Sequence, residues 1–398
     1  PYGDPATVST QDPTFDGVEE RRSYRDRRRA FRPAAVYEVG EQKLSILDLL
    51  ARFRADEFQD GAISRLADMH MKVGQPIRYR LDSDLVPLAD AEPLSIDMLK
   101  GLMYPLLRPD QIEQLEAEEP NDVDAAYHLE ELDLNFRINV FHDSDGPAAV
   151  IRSLPREVPR PDVLGFPDPG VVTDILNLRQ GLVIISGITG SGKSTTIASI
   201  LGELNRTMQM RIITLEDPVE YVMTADQCLI SQREVGRDVK TFSAGLRSAL
   251  REDPDIIFVG EIRDTETASL ALSAAETGHL VVSTLHTRDA AGVISRIVDL
   301  FPPERTREVM SQLSFSLSYI IAQKLLPKKD NSGRVGTFEI LKNVSAISNL
   351  IRTGNWHQIY ATMQLQAKER MMTLEKHLMQ LVNADMITLD MALRYADD

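Results

Sequence analysis

The chain has 398 residues, 43% of them hydrophobic, and this length predicts two or three domains with well-packed cores. Its 44 Lys and Arg against 60 Asp and Glu give a formal net charge of −16, which argues against a general nucleic-acid binder because such a protein needs a basic face. Its single cysteine excludes an internal disulfide and a cysteine-built zinc site, and it shows neither an apolar run of about 18 residues nor the apolar core of a signal peptide, so we expect a cytosolic protein.

Residues 1–43 are expected to form a flexible extension. The first 13 residues are rich in Pro, Asp, Ser and Thr, and seven arginines interleaved with acidic residues follow them. These arginines are Arg21, Arg22, Arg25, Arg27, Arg28, Arg29 and Arg32. The simpler interpretation is a solvated tail or an exposed helix. The alternative is an electrostatic arm for an anionic lipid or an acidic partner.

Residues 44–154 predict a mixed α+β domain without a catalytic cluster. Alternating polar and apolar residues indicate several strands, the clearest at 67–71 and 134–141, with helical segments between them. His70 lies on the first of these strands, and a lone histidine on a strand more often has a structural role than a role as a ligand. Residues 155–170 contain five prolines and predict a stiff linker to the next domain.

Residues 171–300 alternate apolar strands with helical segments, a pattern typical of a mostly parallel sheet. The strand at 182–185 leads into Gly187–Ser194, which fits the phosphate-binding motif G-x-x-x-x-G-K-[ST], and a helix follows. Glycines let backbone N–H groups close around phosphates, and the helix N-terminus adds a positive field. Lys193 is expected to reach the β- and γ-phosphates of ATP and Ser194 to bind Mg²⁺. The residues predicted to bind the nucleotide here are Gly187, Thr189, Gly190, Ser191, Gly192, Lys193, Ser194 and Thr195.

Polar residues follow three of these strands where each strand ends, at the edge that a parallel sheet uses for ligands. Glu261 follows an apolar strand and is the candidate for activating the attacking water. Glu216 is a second carboxylate, expected to hold the metal through a bound water, with an interdomain salt bridge as the alternative. His286 is expected to sense the γ-phosphate, whereas His279 is expected to be structural. Arg263 is expected either to orient Glu261 or to cross a subunit boundary.

Residues 301–398 are predicted to be mostly helical from Arg305 onward and to form a bundle. The methionines in this region are interpreted as core filler rather than as metal ligands. The helical segments are Ser345–Arg352, Trp356–Met363, Met372–Val382 and Leu389–Tyr395.

Four motifs in order resemble those of the secretion ATPase superfamily, and within it the PilT branch of type IV pilus retraction ATPases. They are a Walker A motif at Gly187–Ser194, an aspartate box at Ile213–Glu220, a Walker B motif at Leu250–Asp264 and a histidine box at Gly278–Thr287. The stretch Gln232–Gly236 also matches, and the resemblance runs from about residue 44 to the C-terminus. It implies an α/β fold in which a PAS-like α+β domain precedes a RecA-like P-loop ATPase domain with a C-terminal helical bundle.

The resemblance also implies how the protein works. It implies a homohexamer that hydrolyses ATP with Mg²⁺, is peripheral to the cytoplasmic face of the inner membrane, and contacts the inner-membrane platform protein of the pilus, with no specific nucleic-acid partner. Arg137 and Arg152 lie on strands that in the family face the nucleotide of a neighbouring subunit, so they are candidates for acting in trans. His142 follows Phe141 where an arginine usually follows the aromatic residue, so one candidate phosphate sensor is absent.

Two observations favour the retraction branch over the assembly branch. The chain lacks the tetracysteine zinc motif of many assembly and secretion ATPases, and Ala346–Arg352 is close to the retraction signature. Ser348 and Thr353 depart from that signature where it has an arginine and a glutamate. We therefore expect a motor for pilus retraction and twitching motility. The alternatives are an assembly, secretion or accessory retraction ATPase, a nucleic-acid motor, and a ring that does not hydrolyse ATP.

Overall fold

The computed structural model describes residues 35–60, 63–81, 84–117, 122–132, 134–154, 158–330 and 333–396. The predicted arginine arm therefore lies outside the described residues. The chain divides into two compact units, Pro1–Ser153 and Leu154–Asp398. Within the described residues, no helix has both the length and the apolar character needed to cross a membrane.

The first unit is built on a six-stranded sheet with the order β7-β6-β5-β10-β9-β8. Its sheet strands are β5 (Leu66–Lys72), β6 (Arg78–Leu81), β7 (Asp84–Pro87), β8 (Val123–Leu129), β9 (Leu134–Asp143) and β10 (Gly146–Leu154). Two short hairpins precede them, β1 (Tyr37–Val39) with β2 (Gln42–Leu44) and β3 (Gln59–Asp60) with β4 (Ile63–Ser64). The helices are α1 (Ile46–Ala51), α2 (Ile96–Met103) and α3 (Pro109–Leu115).

The core of this unit follows the alternation that the sequence shows. On β9, Phe136, Ile138 and Val140 are buried at every second position, because successive side chains of a strand point to opposite faces. Phe136 meets Phe53 edge-on with ring centroids 5.4 Å apart. The helices begin where short polar side chains cap them, since Ser45 accepts from Asp48 N and Ser95 from Met98 N.

The structure places the start of this unit before residue 44, the boundary that the sequence suggested. Tyr37 on β1 is only 2% exposed, belongs to the core, and donates its hydroxyl to the Glu92 carbonyl oxygen. The strands around it are three residues long and mostly polar, so they carry too few alternating positions to be read from sequence.

The second unit is built on a seven-stranded sheet with the order β13-β12-β14-β15-β11-β16-β17. Its first six strands pair in parallel and β17 pairs with β16 in the antiparallel direction. The strands are β11 (Gly181–Ser186), β12 (Arg211–Glu216), β13 (Leu229–Glu234), β14 (Ile256–Val259), β15 (Leu280–Leu285), β16 (Leu317–Pro327) and β17 (Arg334–Lys342). The helices are α4 (Gly170–Leu176), α5 (Lys193–Thr207), α6 (Phe242–Ala249), α7 (Thr265–Glu276), α8 (Ala290–Asp299), α9 (Thr306–Ser316), α10 (Ser345–Thr353), α11 (Ile359–Leu365), α12 (Leu374–Asn383) and α13 (Leu389–Tyr395).

Helices cover both faces of this sheet, so its central strands are buried on both sides. On β11, Leu182 and Ile184 belong to one hydrophobic cluster, and Val183 and Ile185 belong to another. This is why the strand is a continuous apolar run rather than an alternating one. The mostly parallel sheet and the helices near the C-terminus confirm the predicted α/β fold class.

The region after residue 301 is less helical than the sequence suggested. All four predicted helices are present, but β16 and β17 precede them and complete the sheet. Both strands are buried over most of their length, and an apolar run without alternation cannot be distinguished from a buried helix by its periodicity.

Most of the predicted linker at 155–170 packs against the second unit. The Ser199 hydroxyl on α5 donates to the Pro159 carbonyl oxygen at 2.6 Å, and the Phe166 ring stacks on Phe338 of β17 with centroids 4.5 Å apart. The described part of this segment is therefore attached to the second unit before α4 begins.

Asp174 on α4 is the centre of a polar cluster that fastens this helix to the sheet. Its carboxylate accepts from the Tyr319 hydroxyl at 2.8 Å, from Lys342 Nζ at 2.9 Å and from the guanidinium of Arg370. Burial alone would raise the pKa of the Asp174 carboxyl, but these donors outweigh it and lower the pKa to about 2. The cluster thus joins α4, β16, β17 and the segment before α12 through one charge.

We expect Asp174→Asn to lower the free energy of unfolding of the second unit by about 2 kcal/mol near pH 7, because three donors lose an ionised acceptor. The native pKa lies below the unfolded value of about 3.9, so the stabilisation is complete above about pH 4 and disappears as the pH falls towards 2. Thermal melts of wild type and variant across this range measure it. Asp390→Asn, in an exposed pair with Arg394, is the control and should change stability little. A difference that stays constant down to pH 2 contradicts the assignment.

Candidate nucleotide site

The glycine-rich loop forms a cradle between β11 and α5. Gly187, Gly190 and Gly192 have φ values of +147°, +80° and +89°, a region that other residues rarely adopt. Gly192 caps α5, so the first helical residue is Lys193 and the N-terminus of a 15-residue helix faces the loop. Backbone N–H groups at such a helix start favour a bound anion.

The close approach of β16 makes Gly187 necessary for a second reason. A Cβ added at Gly187 would lie 2.4 Å from the Gln323 carbonyl oxygen and 2.5 Å from Ser191 Oγ. Backbone atoms cannot move aside at such a distance, so any side chain here would displace the loop.

Lys193 lies folded across the loop. Its Nζ donates to the carbonyl oxygens of Gly187 at 2.8 Å and Ile188 at 3.2 Å, and the residue is 9% exposed. Burial lowers the pKa of the Lys193 ammonium, and the carboxylates of Glu261 and Glu220 oppose that effect. The ammonium is therefore mostly buried against the loop, and the charges of Glu261 and Glu220 act on it.

The loop also contains a buried polar atom that a phosphate could satisfy. Ser191 is 2% exposed, and its Oγ has no hydrogen-bond partner among the residues that the structure describes. A buried hydroxyl without a hydrogen-bond partner lowers stability by about 1–3 kcal/mol, and a phosphate oxygen would accept a hydrogen bond from it. The residues of the cradle thus fit a nucleoside triphosphate.

Glu261, Arg263 and His286 come together at the edge of the sheet. Glu261 follows β14 and its Oε1 lies 2.5 Å from Arg263 Nη2, while its Oε2 lies 4.0 Å from His286 Nε2. Burial lowers the pKa of the His286 imidazole, Lys193 and Arg263 lower it further, and Glu261 opposes them. His286 is therefore neutral near pH 7 and can donate or accept a hydrogen bond.

Adjacent parallel strands explain this grouping. Strands β14 and β15 are paired, so the residues after each strand emerge side by side, next to the loop after β11. His279 lies at the other end of β15, where its Nδ1 is 3.2 Å from the Ala274 carbonyl oxygen, in agreement with a structural role.

Glu216, the predicted metal carboxylate, has a different environment. It is 9% exposed and accepts from the Thr214 hydroxyl at 2.6 Å and from Gln232 Nε2 at 3.0 Å. Burial raises the pKa of its carboxyl, and these neutral donors only partly oppose the rise. The carboxylates that act on Lys193 are instead Glu261 and Glu220.

Sequence reasoning did not single out Glu220, although it is the last residue of the aspartate box. Its backbone N–H donates to the Glu216 carboxylate, so Glu216 holds the loop that carries Glu220. The adjacent Tyr221 hydroxyl shares a hydrogen bond of 3.0 Å with the Thr195 hydroxyl on α5. The end of the box is therefore linked to the phosphate-binding helix by Tyr221, the residue that follows it.

Arg137 and Arg152 belong to the first unit. Arg152 on β10 is 62% exposed at its side chain and forms two hydrogen bonds to the buried Asp68, at 2.7 and 3.3 Å. Arg137 lies half-buried on β9, opposite Ala126. The action of both arginines on a neighbouring subunit's nucleotide stays a prediction.

Comparison with known proteins identifies the family. The family model for type II/IV secretion system proteins matches residues 63–390 of this chain. The chain is 43% identical over 322 residues to the type IV pilus retraction ATPase PilT of Pseudomonas aeruginosa, covering 81% of this chain and 92% of that protein. It is also 43% identical over 277 residues to a twitching motility protein of Neisseria gonorrhoeae, covering 70% and 73%.

A solved structure gives the same answer. The crystal structure of the pilus retraction motor PilT with bound ADP matches with a TM-score of 0.80 and 41% identity, covering 89% of this chain and 98% of that chain. These matches confirm the resemblance drawn from the four motifs. The chain belongs to the type II/IV secretion system protein family.

Proposed function

We propose that this protein is an ATP-hydrolysing motor that drives retraction of type IV pili and thereby twitching motility. The observation that carries the proposal is the grouping of Glu261, His286 and Lys193 beside a cradle that fits a triphosphate. The similarity to PilT supports the choice of pilus retraction among the tasks of the family.

The geometry supports hydrolysis by positioning and charge. Lys193 would exchange its two loop carbonyls for phosphate oxygens, which form stronger, charge-assisted hydrogen bonds. Glu261 would accept a hydrogen bond from the attacking water and so orient it, while the ion pair with Arg263 holds the carboxylate in place. Neutral His286 would contact the γ-phosphate region from the adjacent strand.

We expect Glu261→Gln to lower kcat for ATP hydrolysis by at least about 100-fold, because the amide is a far weaker acceptor for the water proton. Binding of a fluorescent ATP analogue should stay within a few-fold of wild type, since Lys193 and the loop are unchanged. The control is Glu266→Gln, on the exposed face of α7, which should retain full turnover. Undiminished turnover in the Glu261 variant would exclude this role, and a wild type that binds ATP without turnover would favour the non-hydrolysing ring.

The metal requirement follows from the donor set at the loop. We propose that the Ser194 hydroxyl would hold Mg²⁺ and that a carboxylate of the aspartate box would hold it through a bound water; the ion would neutralise phosphate charge. The sequence suggested Glu216 for this carboxylate. The charge coupling to Lys193 supports Glu220 instead, with Glu216 fixing the loop that carries it.

We expect Glu220→Gln to raise about tenfold the Mg²⁺ concentration needed to half-saturate binding of a fluorescent ATP analogue, because a water-bridged carboxylate is lost. Glu216→Gln should leave that concentration within about twofold, since the amide keeps the contact to Thr214. A titration of binding against Mg²⁺ measures both. The reverse order of effects would return the role to Glu216.

The proposed motor is a cytosolic homohexamer that acts at the cytoplasmic face of the inner membrane and contacts the pilus platform protein there. A ring would let Arg137 and Arg152 of one subunit reach the nucleotide of the next. The second candidate is an assembly, secretion or accessory retraction ATPase. It is supported by Ser348 and Thr353, which stand where the retraction signature has an arginine and a glutamate. A nucleic-acid motor is disfavoured by the net charge of −16.

We expect cells that carry Lys193→Ala to be hyperpiliated and non-motile, because pili would be assembled but not retracted. Piliation counted by electron microscopy, together with a twitching assay, measures this. The wild-type gene restored in the same cells is the control. Bald cells would support an assembly ATPase, and normal motility with normal pili would remove this protein from retraction altogether.

A further inference from the structure

Strand β16 brings one buried amide under the phosphate-binding loop. Strands β11 and β16 pair in parallel, with Ile185 opposite Ile321 and Ser186 opposite Ala322. The next residue of each strand is therefore Gly187 on one side and Gln323 on the other. Gln323 is 3% exposed, so its amide is in a place where every polar atom needs a partner.

The Gln323 side chain contacts the far end of the loop as well. Its Nε2 donates to the Ser191 carbonyl oxygen at 2.6 Å. A Cβ added at Gly192 would lie 3.1 Å from the same Nε2, so the amide rests directly beneath Gly192. Its Oε1 is buried and has no hydrogen-bond partner within the described part of the chain. Gln323 thus approaches the first glycine of the loop with its backbone carbonyl oxygen and the last glycine with its side-chain amide.

The hydrogen bond to Ser191 has a directional consequence. The peptide group that joins Ser191 to Gly192 is planar and trans, so its C=O and N–H point in opposite directions. A donor that holds the Ser191 carbonyl oxygen down against β16 therefore turns the Gly192 N–H up, away from the sheet strand and towards the cradle. If that peptide flipped, the cradle would present a carbonyl oxygen to a phosphate, which repels it.

We propose that Gln323 is a positioning residue for ATP binding, whose amide sets the orientation of the Ser191–Gly192 peptide in the phosphate cradle. The inference rests on the proposed binding of ATP at this loop. Gln323 does not contact the nucleotide; it acts through the loop. The loop binds the phosphates before the chemical step begins, so we expect its misorientation to raise KM more than it lowers kcat.

Gln323→Met tests this, because methionine fills a similar volume and cannot donate. We expect the KM for ATP, and the dissociation constant of a fluorescent ATP analogue, to rise about tenfold, with kcat at saturating ATP within about twofold of wild type. Gln323→Asn keeps the amide but shortens it by one methylene, so it should also raise KM, by about fivefold. This second variant still tests the proposal if the methionine variant does not fold.

The matched control is Asn343→Leu. Asn343 is another largely buried amide at the same sheet; its Nδ2 donates to the carbonyl oxygens of Ser314 and Leu317, and its Oδ1 is also buried without a partner among the described residues. It does not touch the loop, so its variant should melt at a lower temperature with the KM for ATP unchanged. A Gln323 variant that behaves in the same way, with lower stability and unchanged KM, overturns the proposal. A wild type that neither binds nor hydrolyses ATP would instead overturn the proposed function on which it rests.

Discussion

The rest of the second unit depends on the close approach of β16 to the start of the phosphate-binding loop. The Gln323 carbonyl oxygen lies 2.4 Å from the place that a Cβ of residue 187 would occupy, so the loop must begin with glycine. The path of the loop sets the direction in which α5 leaves the sheet and places Lys193 over the loop. The neighbouring strand and the loop's own Ser191 side chain both restrict this path.

Parallel pairing then assembles the remaining chemistry around this point. Strand β14 pairs with β15, and β15 pairs with β11, so Glu261 and His286 emerge at the same edge of the sheet as the loop. The charges balance locally. Glu261 is paired with Arg263 and lies near His286, and together with Glu220 it opposes the lowering of the Lys193 pKa that burial causes. A bound triphosphate would add negative charge to this group, and Lys193 is the cation that must move to meet it.

In the same unit, hydrogen bonds and ion pairs hold helices and loops in place against the sheet, in addition to apolar packing. Asp174 joins α4 to β16 through Tyr319 and to β17 through Lys342, and Arg370 adds the segment before α12. Gln232 similarly bridges Glu216 to the Tyr221 carbonyl oxygen, which holds the aspartate box against β13. Each of these contacts joins different elements of the unit.

Features that depend on residues close together in the chain could be predicted from the amino-acid sequence. The glycine spacing of the loop, the apolar run of β11, the carboxylate after β14 and the four helices after residue 344 all follow from local composition and period, because those control local backbone geometry. Features that depend on contacts between distant segments could be seen only in the folded structure. It placed β16 and β17 in the sheet, put Tyr37 into the first core, coupled Glu220 rather than Glu216 to Lys193, and set Gln323 under the loop. Electrostatic interactions and hydrogen bonds depend on distances between segments, and local sequence patterns do not specify those distances.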